Sequence, residues 1–204
     1  MTDFSENILR ESVVLQLKAS ANIKHAMLKR CVDSIIAAAG MIAGALKNLN
    51  RTVYFCGNGG SAADSQHLAA EFIVRLSSKR NRRALPAVAL TTDTSILTAA
   101  ANDYGFESVF ARQVEALGRE GDVLVCISTS GNSINLVKTA EIARQKGMKL
   151  IGFLGAKPGA LGPMMDICIN IPSDDCCRIQ EGHITAGHII VDLAEKLLFG
   201  EVED

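Results

Sequence analysis

The chain has 204 residues, 48% of them apolar, and a formal net charge of −1. That balance excludes a disordered chain and leaves enough length for one α/β domain with a sizeable core. It supplies no general pull toward DNA or a membrane surface, and the apolar stretches are broken by charge or glycine well short of the roughly 18 residues that a membrane span requires.

Met1 to Glu6 is polar and acidic, unlike a secretory leader. Residues 5 to 48 carry apolar side chains near helical spacing, without proline, and predict two helices with a break near Ala19 to Lys24. Thr52 to Cys56 reads as strand one and Ser61 to Leu76 as a helix. The basic run Lys79-Arg80-Asn81-Arg82-Arg83 reads as a solvated loop, with a ligand- or partner-facing role as the alternative. Ala87 to Leu90 is strand two, followed by a short helix over Ser95 to Ala101 and a turn at Asn102-Asp103-Tyr104-Gly105. Phe106 to Leu117 is helical, strand three ends at Ile127, and a helix runs from Ile134 to Lys146. Leu150 to Leu154 and Ile167 to Ile171 are the last strands, separated by a flexible loop over Gly155 to Gly162. Arg178 to Leu198 is the final helix.

Alternating strands and helices imply α/β architecture, with a parallel sheet between two helical layers. Right-handed crossovers place the carboxyl ends of all strands on one edge, where ligands bind. No linker or repeat divides the chain. Of the six cysteines, Cys56, Cys126 and Cys168 fall in predicted strands, and no C-x-x-C spacing occurs. Reduced thiols in a cytoplasmic protein are the simplest reading.

Two loops follow apolar strands directly: Gly57-Asn58-Gly59-Gly60-Ser61 and Ser128-Thr129-Ser130-Gly131-Asn132-Ser133. Small hydroxyl residues at a helix start make an anion site, because free N–H groups and the helix dipole point at it. Such turns also serve close packing alone. Two of them on one sheet edge favour a phosphorylated ligand. Neither a Walker lysine nor a complete dinucleotide fingerprint is present, and the chain has no Trp and only two Tyr.

His67 and Glu71 lie four residues apart on one predicted helix, and Gln180 and His188 lie eight apart on another. Both spacings put the members on a common, if broad, helix face. Two imidazoles, a carboxylate and an amide are a plausible first set of ligands for a divalent metal, and Glu71 with His188 alone makes a general base and acid. A His-x-x-x-Glu pair is more often an ordinary surface pair. The apolar neighbours Leu68, Ala69, Phe72, Ile184, Ile189 and Ile190 argue against that here, because polar groups among them need partners. His25 and His183 lack such a context and read as structural or exposed.

Together these residues resemble the phosphoheptose isomerase family of sugar isomerase (SIS) domains. The likeness runs from Cys56-Gly57-Asn58-Gly59-Gly60-Ser61 through His67, Glu71, Asn102-Asp103-Tyr104-Gly105-Phe106 and Gly118-Arg119-Glu120-Gly121-Asp122. It continues through Ser128 to Ser133 and ends in Arg178-Ile179-Gln180-Glu181 and His188. It implies a flavodoxin-like three-layer fold with a five-stranded parallel sheet over 49–204, preceded by oligomer-forming helices over 1–48 of the same domain. It implies a homotetramer with active sites between subunits, and no nucleic-acid or membrane partner. The implied activity is aldose–ketose isomerisation of sedoheptulose 7-phosphate to D-glycero-D-manno-heptose 7-phosphate, supplying heptose for surface glycans. Asn58, Gly59, Gly60, Ser128, Thr129, Ser130 and Ser133 would hold the sugar phosphate, and Ser61, Glu71, Asn102, Asp103 and Gln180 would line the same site. Glu71 and His188 match the family's acid–base residues. His67, Glu71, Gln180 and His188 match zinc ligands seen in some members, one ion per subunit. The chain departs from the pattern at Cys177, where some members carry an Asp proposed to open the sugar ring; Asp174 and Asp175 lie just before it. The rival reading is a non-catalytic SIS adaptor that binds the replication initiator, or a sugar-phosphate sensor. The adaptor lacks the Glu and His matched by Glu71 and His188.

Overall fold

The computed structural model describes residues 6–47 and 50–201. The leader reading of Met1 to Glu6 therefore falls almost wholly outside the described residues. The chain begins with two helices, α1 (Glu6–Arg30) and α2 (Val32–Lys47). Then come β1 (Val53–Gly57), α3 (Gly60–Ile73), β2 (Ala87–Ala89), α4 (Thr94–Tyr104) and α5 (Ala111–Leu117). β3 (Val123–Ser128), α6 (Ile134–Gln145), β4 (Lys149–Leu154), β5 (Ile167–Asn170) and α7 (Cys176–Phe199) complete it. Among the described residues, no helix is long and apolar enough to cross a membrane.

The strands pair in parallel in the order β2-β1-β3-β4-β5. This is the flavodoxin-like order, whose reversal point lies between β1 and β3. Along β1 and β3, successive side chains enter opposite layers, as strand geometry requires. Val53, Phe55, Val123, Val125 and Ile127 join the core under α2, α3 and α7. Tyr54, Cys56, Leu124 and Cys126 join the core under α4, α5 and α6. The near-continuous apolar runs of these strands follow from burial on both faces.

The expected helix break near Ala19 to Lys24 is absent; the joint falls at Cys31. Nothing between those residues interrupts a helix, since the segment holds neither proline nor glycine. At Cys31 the helical ladder continues, with Cys31 N–H donating to Met27 O at 2.8 Å and Ile35 N–H to Cys31 O at 2.9 Å. The joint is thus a bend. It separates α1, whose one buried residue is Met27, from α2, which buries Ile35, Ala38, Ala39, Ile42, Ala43 and Leu46.

The expected turn at Asn102 to Gly105 also differs: Asn102, Asp103 and Tyr104 are the last turn of α4. Gly105, at φ 85°, ends the helix and donates its N–H to Ala101 O. The helix expected over Phe106 to Leu117 is split into a 3₁₀ turn at Phe106–Ser108 and α5. The loop after β4 contains a 3₁₀ segment, Gly159–Met164. The basic run is not simply solvated, because the side chains of Arg80 and Arg82 are 9% and 1% exposed.

His183 is fully buried in α7, with Nε2 against Leu154 O at 3.1 Å and Nδ1 unpartnered. Burial lowers its pKa to about 4, and the carbonyl contact opposes that only partly. The unfolded chain, with an imidazole near pH 6.5, binds this proton more readily. Stability therefore falls as pH drops below about 6.5 and the loss levels off near 4. For this group alone the loss is about 2 kcal/mol at pH 5. Urea unfolding of wild type and His183→Gln at pH 7 and 5 checks this. The wild type should lose that much more stability between the two pH values than the variant; parallel losses would refute it.

Candidate active site

The loops after β1 and β3 stand side by side at the reversal point, so the amino ends of α3 and α6 converge there. Between them lies a cavity of about 300 Å³ lined by Asn58, Gly59, Gly60, Ser61, Ile127, Ser128, Thr129, Ser130, Ser133, Cys176 and Gln180. Every loop residue expected to hold phosphate is in this lining. Two N-terminal helix dipoles and a set of hydroxyls give it the character of an anion site.

The loop after β1 is fastened to the first turn of α6. Asn58 Nδ2 donates to Asn135 Oδ1 at 3.0 Å, and Asn135 Nδ2 donates back to Asn58 Oδ1 at 2.8 Å. Asn135 is 1% exposed, and its Oδ1 also accepts from Leu136 N–H. The Asn58 amide is thus committed to holding its loop against α6. Ser128 Oγ accepts from Gly131 N–H at 3.0 Å, and Ser130 Oγ accepts from Asn132 N–H at 3.2 Å. Ser133 occupies the N-cap position of α6 without making a side-chain cap bond. Its hydroxyl meets only Ser128 Oγ, at 3.5 Å, which leaves it available to a ligand.

Gln180 reaches this cavity from α7. A Cβ built on Gly60 would lie 2.5 Å from Gln180 Nε2, so only glycine admits the amide over the start of α3. Cys176 opens α7, with Sγ 3.7 Å from Thr129 Oγ1. Asp175 caps the helix, accepting from Cys177 N–H at 2.8 Å and Arg178 N–H at 3.2 Å. Asp174 faces Lys157 at 3.5 Å on the surface.

A second cluster joins α3 to α7. His67 Nε2 and His188 Nε2 are 2.8 Å apart, and His67 Nε2 is 3.4 Å from Glu71 Oε1. One donor atom from each of His67, Glu71 and His188 lies within 4.8 Å of the other two. The helices approach this closely because Gly187 has no side chain; a Cβ there would stand 2.6 Å from Leu68 Cδ2. The Glu71 side chain is 17% exposed, and its Oε2 is buried without a partner. An orphaned carboxylate oxygen beside two imidazole nitrogens fits a metal cation. Two nitrogens on one tetrahedral zinc at 2.0–2.1 Å are about 3.4 Å apart, so the 2.8 Å found here is a hydrogen-bond spacing that would have to widen to admit the ion. One turn earlier on α3, burial raises the pKa of Asp64, and the charge of His67 opposes the rise.

The expected site residues other than Asn102 and Asp103 therefore fall into two groups in one chain. Gln180 belongs with the phosphate cavity rather than with His188, from which it is separated by about 12 Å of helix rise. Asn102 and Asp103 are exposed, bonded to each other at 2.7 Å, and outside the cavity lining. Asn135 and Cys176 were not anticipated. Cys176 was legible in principle: Asp175 is a typical N-cap, and a helix start there brings Cys176 to the strand edge.

The SIS-domain family matches residues 17–155. A phosphoheptose isomerase of Geobacter metallireducens is 50% identical over 191 residues, covering 94% of this chain and 100% of the relative. One of Roseiflexus sp. (strain RS-1) is 47% identical over 189 residues, covering 93% and 94%. The chain belongs to the phosphoheptose isomerase family. The solved structure of phosphoheptose isomerase GmhA from Neisseria gonorrhoeae superposes with TM-score 0.86 at 42% identity, covering 92% of this chain and 99% of that one. A Francisella tularensis phosphoheptose isomerase gives 0.87 at 35% identity, covering 91% and 97%. The family, the α/β SIS fold and the isomerase class all agree with the expectations from sequence.

Ser133 separates a phosphate role from a capping role. Ser133→Ala removes a hydroxyl that caps nothing, so the melting temperature without ligand should move by no more than about 2 °C. Losing one hydrogen bond to a charged group should raise KM about tenfold or more. A melting drop with unchanged KM would overturn the phosphate assignment.

Proposed function

We propose that this isomerase interconverts sedoheptulose 7-phosphate and D-glycero-D-manno-heptose 7-phosphate, the entry to heptose supply for surface glycans, in the cytoplasm. The observation that carries the reading is the meeting of Glu71 and His188 on α3 and α7, in a chain of this family that also has a hydroxyl-lined cavity. A pure adaptor or sensor has no use for that pair, and the near-full-length relatives bear isomerase names.

The cavity holds the substrate's phosphate through Ser128, Thr129, Ser130, Ser133 and the backbone of Asn58, Gly59, Gly60 and Ser61. Anchoring the phosphate lets binding energy place C1 and C2 against the acid–base pair. Glu71 removes a proton from C1 of the ketose, and His188 protonates O2, giving the 1,2-enediol. Return of a proton to C2 and loss of the O1 proton yields the aldose. Asn102, Asp103 and Gln180 contact the sugar where subunits meet. Support for such an assembly comes from α1, which leaves Ile8, Leu9, Val13, Leu15 and Leu17 each at least 51% exposed in the single chain. A homotetramer built on these helices covers them and brings together the two groups of residues that lie apart in one subunit.

His67, Glu71 and His188 would hold one zinc per subunit; Gln180 lies about 12 Å of helix rise from His188 in one chain and would complete the set only from a neighbouring subunit. Bound there, zinc would supply Lewis-acid polarisation of the substrate carbonyl.

Incubating pure protein with sedoheptulose 7-phosphate, and following aldoheptose phosphate by NMR, tests the reaction. Glu71→Gln and His188→Gln should each lower turnover by roughly 10²-fold or more with the fold intact. Near-normal turnover in either variant sinks the acid–base assignment. Metal analysis after zinc loading should give about one equivalent per subunit, and His67→Ala should abolish it. Absence of zinc uptake by the wild type would remove the metal from the proposal.

A further inference from the structure

The basic run between α3 and β2 folds back onto α7 and forms a buried ion cluster. Glu195, its side chain 3% exposed, receives Arg82 Nε on Oε1 at 2.7 Å and faces Arg80 Nε at 3.5 Å from Oε2. Arg82 does more than pair with this carboxylate. Its NH2 donates to the backbone carbonyl of Glu71 at 2.8 Å, and its NH1 donates to Arg83 O at 2.9 Å.

The identity of that carbonyl matters. α3 ends at Ile73, so Glu71 stands in its last turn, where carbonyls have no partner within the helix. Two neighbours are satisfied by the main chain: Ala70 O accepts from Val74 N–H and Phe72 O from Leu85 N–H. Glu71 O is taken by the Arg82 guanidinium. At the other end, Glu195 lies seven residues after His188, two helical turns along the same face of α7. One planar, forked group therefore ties the backbone of the proposed base to the helix that carries the proposed acid.

We propose that Arg82, anchored by Glu195, is a positioning residue that sets the distance between Glu71 and His188. The inference rests on the acid–base reading of that pair. A buried ion cluster is a poor source of net stability, because desolvation offsets its attraction. Its geometric output is specific: the fork fixes two acceptors on two elements at once, which a lysine point charge does not do. Among the described residues, the Arg80 side chain pairs with Glu195 and has no bond to α3, so it serves as an internal control.

The test uses Arg82→Lys, Glu195→Gln and Arg80→Gln in the full chain, with sedoheptulose 7-phosphate deuterated at C1. Misplacing reacting groups by about 1 Å costs on the order of 10²-fold in rate, so Arg82→Lys and Glu195→Gln should lower kcat at least tenfold with KM within about threefold. The deuterium isotope effect on kcat should rise, because proton abstraction becomes slower relative to product release. An isotope effect does not depend on how much of the sample is folded, so mere destabilisation leaves it unchanged. Glu195→Gln keeps shape and an acceptor for Arg82, and it carries the test if Arg82→Lys folds poorly. Arg80→Gln should lower the melting temperature and leave the isotope effect at its wild-type value. An unchanged isotope effect in both Arg82→Lys and Glu195→Gln overturns the proposal, as does an equal rise in Arg80→Gln. Glu71→Gln run alongside separates the two ideas: if it stays active the base assignment fails, and if it is inactive while the clamp variants behave as wild type, only the clamp fails.

Discussion

The contact of Gly187 with Leu68 decides how close α3 and α7 can come, and most of the chemistry follows from that distance. A single methyl at Gly187 would meet Leu68 at 2.6 Å, too near for real atoms. Without it, His188 comes within hydrogen-bonding range of His67 and beside Glu71. Interiors are packed too densely to absorb a misfit of this size by small shifts. Separating these helices would part the base from the acid and leave the cluster's nitrogen and oxygen donors too far apart to share one proton or one cation.

The strand order supplies the other half. Because the order reverses between β1 and β3, two loops emerge side by side with helices leaving in different directions, and a crevice opens between them. Hydroxyls and helix amino ends fill that crevice. Under the proposed function, binding and chemistry then fall to different pairs of elements: α3 and α6 for the phosphate, α3 and α7 for proton transfer. α3 belongs to both pairs, with its first turn at the cavity and its last turn at the carboxylate.

Features encoded by local pattern were legible in the sequence. Two-sided strand burial reads as apolar runs, and hydroxyl-rich turns after strands read as a ligand edge. The four-residue spacing of His67 and Glu71 gives a shared helix face directly. What was not legible depended on distant partners. Whether Arg82 is solvated or buried is decided by Glu195, which lies 113 positions away. Asn135 looks like any polar residue in a helix's first turn until Asn58 is placed opposite it. His183 read as structural or exposed, and its full burial against Leu154 O of the sheet, while His188 faces α3, becomes visible only once the packing is known. The bend at Cys31 carries no proline or glycine; what marks it is a distant partner, the Cys31 thiol donating to Asn170 O of β5 at 3.4 Å.

The reciprocal amide pair of Asn58 and Asn135 has a consequence for how a ligand is received. Within the pair each side chain gives and takes one hydrogen bond, so the loop after β1 cannot part from the start of α6 without leaving both amides short of partners. In the proposed reading, the Asn58 side of the phosphate cradle is therefore held in place before any ligand arrives. Ordering of these loops is charged to folding, and binding loses little conformational entropy there. A cradle of this kind discriminates by fit: a dianion that matches the fixed spacing of N–H and hydroxyl groups is held, and a smaller or flatter anion meets the same unmoving geometry and leaves donors unmatched. On the proposed function, selectivity for the phosphate end of the sugar is thus a property of the empty protein.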